Sequence, residues 1–434
     1  MRGVRCLRDA AIPIPSPEGA VPQVADLVFA FDAALDRPVP VPDGAPPAIA
    51  ATIARATADS LDQAVAEARR AGAAALVLCG RVLDPQRASP AQAADLRRII
   101  DTLASAGCRT VLVADETAAC HAFARMLGEP AGLSFVTPLV PVTLDIRGLA
   151  VDIVSAHGDT ATALPVSRTG SAPLQRRIVV GWDAGARHAG RWSADAAAPV
   201  NSAADFLGWA GASPTWSLPG TLWVWGSRQP QMLPPGVHHL PALQPRSAHE
   251  AALGACCTLT LLDRHDEAPA APHADWRGTW REVPTQRVAW RTLKVESQAG
   301  GDEELATVIW SALEGSVAGQ QAPLELVRCV VACGTSVARR VRVAEIAAET
   351  LARVRQLYDP ATFRVWCSEV VADPGESLAP LGHTRSGGRP GTTTSFSSAL
   401  ADIVAAIEES EEPAIPADLA RQAGWLALEL IEST

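Results

Sequence analysis

Charged side chains follow three short apolar runs in the first third of the chain. Asp32 follows DLVFAF and Arg81 follows LVLCG. Asp115 and Glu116 follow RTVLVA. A residue that follows a buried strand is delivered to the carboxyl edge of its sheet, where open α/β proteins bind ligands. Carboxylates at that edge could hold a divalent cation, whereas the guanidinium of Arg81 would repel one.

Alternating strand-like and helix-like segments predict the sheet that would bring these residues together. The predicted strands are 26–31, 74–79 and 109–114, and the predicted helices are 48–71, 90–106 and 118–127. This order predicts a parallel sheet covered by helices, with the loops after the strands at one functional edge. Further strand-like runs lie at 139–145, 149–155, 177–182, 221–225 and 255–262. We therefore predict an α/β fold in layers.

Changes of composition along the chain predict its division into domains. A polar, Pro- and Ala-rich stretch (263–283) reads as a linker, and a second stretch rich in Gly, Ser, Thr and Pro reads as a flexible connection. In chain order the predicted parts are an N-terminal extension (1–24), a layered α/β domain (25–265), a small α+β cap domain (284–372), a flexible linker (373–394) and C-terminal helices (395–434).

The composition excludes several classes of protein. The chain has 434 residues, of which 48% are hydrophobic and 19% charged, so it can form sizeable cores. A net charge of −10 disfavours broad electrostatic capture of nucleic acid. The nine cysteines are an odd number without a CxxC motif, and no signal peptide or membrane-spanning run is found. We therefore expect a reduced, cytoplasmic protein.

Read together, the strand ends resemble those of the calcineurin-like metallophosphoesterases, and most of all the SbcD-type DNA repair exonuclease subunits. In that family the first strand ends in Asp-x-His, the second in Gly-Asp and the third in Gly-Asn-His-Asp. Later strands add a lone His and a Gly-His-x-His. The resemblance implies a layered α/β/β/α sandwich with a cap domain, and two metal ions, typically manganese, that activate water for attack on a phosphodiester.

The first two motifs of the family are changed in this chain. Asp32 matches the first Asp, but Ala34 stands where the family has His. Gly80 is kept, and Arg81 follows it in place of the Asp that bridges the two metals. A dication about 4 Å from a guanidinium is repelled by roughly 8 kcal/mol at an effective dielectric constant of about 20.

The later motifs have also lost their ligands. Asp115 and Glu116 stand at the metal-binding Asn and the catalytic His of the third motif. Trp182 stands at the lone His, and Ser227 and Gln229 stand at the two His of the last motif. We therefore predict that these are vestigial positions, with no catalytic residue and no bound metal.

An ion pair is the predicted replacement for the metals. Asp32 and Asp115 would repel each other in a partly buried cleft unless a cation lay between them. We expect the guanidinium of Arg81 to pair with Asp32, and also with Asp115, at the sheet edge.

The resemblance implies a catalytically inactive protein that acts as a structural partner in a DNA repair or DNA-processing complex. The implied partners are a coiled-coil SMC-like ATPase, which the C-terminal helices would reach, and a second copy of the chain. Direct contact with DNA stays open. The alternative is a divergent metal-dependent phosphoesterase or nuclease with a reduced one-metal site built on Asp32, Asp115 and Glu116.

Overall fold

The computed structural model divides the chain into two compact units, Met1–Val41 with Ala51–Arg287 and Pro42–Ala50 with Val288–Thr434. The chain is mixed α/β, as the sequence predicts. The structure describes residues 24–114, 117–137, 140–156, 176–182, 221–228, 237–247, 250, 253–261, 278–296, 301–315, 322–333, 337–358 and 365–373.

The first sheet of the first unit has six strands in the order β11-β10-β1-β2-β3-β4. Strands β1 to β4 are parallel, and β10 and β11 extend the sheet in antiparallel pairing. The strands of this sheet and the helices that pack on it are, in chain order, β1 (Leu27–Phe31), α1 (Pro47–Arg70), β2 (Ala75–Cys79), α2 (Pro90–Ser105), β3 (Arg109–Val113), α3 (Thr117–Leu127), β4 (Leu133–Val136), β10 (Ala255–Leu261) and β11 (Gly278–Pro284).

A second sheet of five strands belongs to the same unit, in the order β5-β6-β7-β8-β9. Strands β5 and β6 form an antiparallel hairpin, and β6 to β9 are parallel. The strands are β5 (Val142–Ile146), β6 (Leu149–Ser155), β7 (Arg176–Trp182), β8 (Thr221–Ser227) and β9 (Val237–Pro241).

Alternate residues of the central strands enter two separate cores. Val28 and Leu76 pack in a cluster with residues of helices α1, α2 and α3. Leu27, Phe29 and Val77 pack in a second cluster with residues of β5 to β9. Successive side chains of a strand point to opposite faces, so the continuous apolar runs of β1 and β2 are what a sheet covered on both faces requires.

Helix α2 shows how the sequence sets an element boundary beside the sheet edge. Its N-cap is Ser89, whose side chain accepts from the backbone N–H of Gln92, while the Gln92 side chain accepts in return from the Ser89 N–H. Pro90 occupies the first turn, where no backbone donor is needed. This capping box fixes the start of α2 close to the loop that follows β1.

The second unit contains a three-stranded parallel sheet in the order β12-β13-β14. Apolar residues of the sheet, such as Val327 and Cys329, share a cluster with Ile309 and Ile346 of its helices. The elements are β12 (Val288–Glu296), α4 (Asp302–Gly315), β13 (Leu324–Ala332), α5 (Val337–Gln356) and β14 (Val365–Ala372).

The predicted linker before the second unit was wrong in its last part. Residues Gly278–Pro284 form β11, which pairs with β10 along its whole length. The Trp280 ring packs on Phe29 with centroids 5.4 Å apart. This edge strand is largely exposed, so its sequence lacks the apolar alternation that identifies a strand.

Predictions for the two chain ends lie outside the described residues. They concern the N-terminal extension before Val24, and the flexible linker and C-terminal helices after Asp373. Among the helices that the structure describes, none is long and apolar enough to span a membrane.

Candidate functional site

The candidate site lies at the carboxyl edge of β1, β2 and β8 in the first unit. The pairing of β1 with β2 continues beyond the strands, because Asp32 N–H donates to Cys79 O (3.0 Å) and Ala34 N–H donates to Arg81 O (2.8 Å). The segment after β9 joins this edge through Leu243 N–H, which donates to Phe31 O (2.9 Å). Backbone hydrogen bonds thus fix the positions from which the side chains extend.

The loop after β1 has an unusual backbone. Asp32 and Ala34 have φ angles of 57° and 41°, in the left-handed region that non-glycine residues rarely adopt. The Gln92 side chain donates to Leu35 O (2.9 Å) and ties this loop to the start of α2. Ala34 is fully buried. Such strain persists only where the surrounding structure holds it, and it often marks functional sites.

The ring of Phe31 occupies the space between two glycines at the site. A Cβ added to Gly80 would lie 2.5 Å from Phe31 Cε2, and one added to Gly226 would lie 2.6 Å from Phe31 Cδ2. Gly80 also has a φ of +70°. Glycine at position 80 is therefore favoured both by its backbone conformation and by the neighbouring ring.

Asp32 holds two guanidinium groups on a single oxygen. Its Oδ2 accepts from Arg228 Nε at 2.6 Å and from Arg246 Nη2 at 2.5 Å. The side chains of Asp32 and Arg246 are 2% and 10% exposed, and that of Arg228 is 39% exposed. We call these three residues the Asp32 cluster. It lies at the carboxyl edge of β1 and β8.

The two arginines of the cluster have different electrostatic environments. Burial lowers the pKa of Arg246, and the nearby charges of Arg228 and Arg81 lower it further. The negative charges of Asp32 and Glu250 raise this pKa but do not outweigh burial. Burial also opposes the charged form of Arg228, but its hydrogen bond to Asp32 and the charges of Asp32 and Glu250 outweigh burial and raise its pKa. Burial therefore disfavours the charge of Arg246 on balance, whereas its anionic neighbours favour the charge of the more exposed Arg228.

The predicted ion pair between Asp32 and Arg81 was wrong in its partner. The Arg81 Nη2 lies 2.8 Å from Asp36 Oδ2 and 3.2 Å from Asp84 Oδ2. Asp36 also accepts from Asp84 N–H (3.2 Å). The loop after β1 and the loop after β2 are therefore joined without the participation of Asp32. The contacting oxygen of Asp32 is taken by Arg228, on another strand end, and by Arg246.

The remaining predicted positions are partly described. Trp182 ends β7 and is buried in the apolar core that β1 and β2 share with the second sheet. Ser227 ends β8 and is also buried. Asp115, Glu116 and Gln229 lie outside the described residues.

Three charged residues of this edge, Arg228, Arg246 and Asp36, were not predicted from the sequence motifs. The signal was their place in the chain, since each lies within five residues of the end of a strand. A charged residue that is buried at a strand end needs a counter-charge nearby. The packing of the two sheets decides which counter-charge such a residue contacts.

The described donors do not fit the two-metal site that the resemblance implies. Among the described residues, no group of three or more His, Cys, Asp and Glu side chains is placed to hold a metal ion. The carboxylate of Asp32 already bears two guanidinium groups. A dication would have to displace both, or accept their repulsion within a few ångströms.

Comparison with known proteins adds no identification. No family model matches the chain, and a search of the curated proteins finds no significant match. The fold and the geometry of the Asp32 cluster are therefore the observations that bear on function.

Proposed function

We propose that this protein is a catalytically inactive, metallophosphoesterase-like protein of the cytoplasm. It resembles the SbcD-type DNA repair exonuclease subunit and acts as a structural partner in a DNA repair or DNA-processing complex. The proposal includes the layered α/β/β/α sandwich of that family, with the second unit as its cap domain. The mixed α/β class and the core shared by the two sheets of the first unit support it.

One observation carries the absence of catalysis. The carboxylate that matches the family's first metal ligand, Asp32, is bound by the guanidinium groups of Arg228 and Arg246. Each guanidinium would repel a dication about 4 Å away by roughly 8 kcal/mol at an effective dielectric constant of about 20. A hydrolytic metal centre at this carboxylate would therefore be unstable against the arginines that already occupy it.

Metal analysis and a nuclease assay test the absence of catalysis. The purified full chain, incubated with manganese and freed of excess metal, should retain no stoichiometric metal. It should not cleave linear DNA or bis-p-nitrophenyl phosphate. The alternative one-metal phosphoesterase predicts the opposite result. Stoichiometric metal, with turnover that Asp32→Ala abolishes, would show that the alternative is correct.

The structural role requires a partner, and the resemblance suggests its type. The C-terminal segment 395–434 carries apolar residues at helical spacing, as in LADIVAAIEE and LARQAGWLALELI, which suits docking on a coiled coil. Co-expression with a coiled-coil ATPase encoded beside this chain should give a stable complex. A chain that ends at residue 394 should lose the ATPase but keep its own fold by circular dichroism. If neither the full chain nor the shortened one binds the ATPase, this partner is wrong.

A further inference from the structure

The Asp32 cluster has more cationic than anionic charge in direct contact. Asp32 is the only carboxylate among the described residues within 4.0 Å of the guanidinium groups of Arg228 and Arg246. Glu250 lies close enough to influence both arginines, but its Oε2 accepts from the backbone N–H of Arg246 (3.0 Å). Arg81 is paired with its own carboxylates. Two guanidinium groups therefore share one contacting anion.

Arg246 also has an unused donor. Its Nε is buried and has no hydrogen-bond partner among the described residues, and the whole side chain is only 10% exposed. A buried donor without an acceptor is destabilising, and more so when the group is charged. The lowered pKa of Arg246 agrees with incomplete compensation of its charge. The structure thus contains a buried cation with one N–H donor that has no acceptor among the described residues.

The exposure of Arg228 provides access to this cation. Its guanidinium is held on Asp32 through Nε, and the side chain is 39% exposed. The cluster lies beyond the carboxyl ends of parallel strands, which is where open α/β sheets bind ligands. An anion that approaches Arg228 from solvent would therefore also approach Arg246, because both are fixed on the same carboxylate oxygen.

From this geometry we propose that Arg228 and Arg246 together bind a phosphate group, either as the free ion or on a monoester. Guanidinium groups bind tetrahedral oxyanions through paired, charge-assisted hydrogen bonds, and two adjacent guanidinium groups suit the dianionic charge of phosphate. Asp32 holds the two arginines side by side and thus pre-organises the site. The proposal rests on these contacts and is independent of any partner in DNA processing.

Isothermal titration calorimetry of the full chain at low ionic strength tests this site. Inorganic phosphate and phenyl phosphate are titrated in parallel, and saturable binding of at least one, at one per chain, is expected. Tighter binding of the ion identifies free phosphate as the ligand class, and tighter binding of phenyl phosphate identifies a monoester. The proposal is overturned if neither compound gives saturable heat.

Three variants locate the binding site. Arg228→Gln should weaken phosphate binding about ten- to hundred-fold, which corresponds to one lost hydrogen-bonding contact between charged groups. Arg228→Lys keeps the charge but loses the forked geometry, so its affinity should lie between those of Arg228→Gln and the unchanged chain. The matched control Arg98→Gln removes an exposed arginine of α2, and its affinity should be unchanged.

Arg246→Gln is informative provided that the variant folds, which its thermal unfolding curve shows. The side chain of Arg228 is partly exposed, so Arg228→Gln is expected to fold. This variant therefore tests the proposal even if Arg246→Gln fails to fold. Undiminished phosphate binding in Arg228→Gln would overturn the assignment. Equal weakening in Arg228→Gln and Arg98→Gln would overturn it as well, since it would indicate a general effect of charge.

Discussion

At the scale of single residues, the identity of the ion-pair partners decides the chemistry at the sheet edge. Asp32 keeps the residue type of a metal ligand, but Arg228 and Arg246 convert it into the counter-ion of two cations. Arg81 looks from its position like the cation that replaces the metals, yet it joins the two loops through Asp36 and Asp84. A residue's place in a motif therefore does not reveal its partner.

Asp32→Asn tests the contribution of this carboxylate to stability. Asn tolerates the left-handed backbone as well as Asp does, so the change isolates the lost charge. We expect a loss of about 3 kcal/mol, because Arg246 would remain as a buried cation without its counter-ion. Urea denaturation measures the change. The control Asp101→Asn, which removes an exposed ion pair with Arg97, should cost less than about 1 kcal/mol.

Gly226→Ala and Gly80→Ala separate a steric requirement from a backbone requirement. Both added methyl groups meet the Phe31 ring, so both variants should be destabilised by about 1–3 kcal/mol. In a Phe31→Ala background, Gly226→Ala should become nearly neutral. Gly80→Ala should keep a penalty of about 1 kcal/mol, because its φ is positive. Equal and undiminished penalties in both backgrounds would show that the ring is not the obstacle.

At the scale of elements, the edge strand β11 joins the two sheets of the first unit through aromatic contacts. Trp280 of β11 packs on Phe29 of β1, and it stacks with His238 of β9 at a centroid distance of 4.8 Å. On the other side of the strand, Arg281 binds Glu67 of α1 at 2.8 Å. Strand β11, whose sequence resembles a linker, thus contacts helix α1 and one strand in each of the two sheets.

The burial of His238 in β9 should make stability depend on pH. Burial lowers the pKa of His238, so the unfolded chain binds its proton more readily than the folded one. Stability should therefore be complete above the ordinary His pKa of about 6.5 and should decrease as the pH falls toward the lowered folded-state value. Urea denaturation on either side of this range measures the decrease.

His238→Gln identifies the source of that pH dependence. The variant lacks the titrating ring, so its stability should decrease less over the same pH range. The control His121→Gln changes an exposed residue of α3 and should behave like the unchanged chain. An identical pH dependence in all three proteins would exclude His238 as the cause.

At the scale of the whole molecule, both units bury their cysteines. The eight cysteines that the structure describes form no disulfide, and all are buried. Burial raises the pKa of Cys108 to about 11 and that of Cys256 to about 12, which suppresses the reactive thiolate. The thiols therefore act as small apolar residues in both cores.

Thiol titration tests this property in the native protein. With a thiol-specific reagent at about pH 8, the eight described cysteines should react only as fast as the chain opens. After denaturation all nine cysteines of the chain should react at once. Rapid reaction of two or more thiols in the native protein would contradict the burial of these side chains. Reduced and unreduced samples should give the same count after denaturation, because the described thiols form no disulfide.

The local sequence predicted most elements of the two units. Apolar runs identified β1, β2 and β3 within a residue or two, because strands buried on both faces are continuously apolar. Helical spacing identified α1, α2 and α3 in the same way. The strands β4, β9 and β11 were missed, since none has a buried face along its whole length. Periodicity detects burial, and it fails where an edge strand is mostly exposed.

By itself, the sequence determined that Asp32 and Arg81 end neighbouring parallel strands, because strand order and length follow from local patterns. Only the tertiary structure decided that Asp32 binds Arg228 and Arg246, which follow it by 196 and 214 positions. Such pairs form when two sheets pack and bring their carboxyl edges together. Burial then makes the choice of counter-ion strict, since an unpaired buried charge is strongly destabilising.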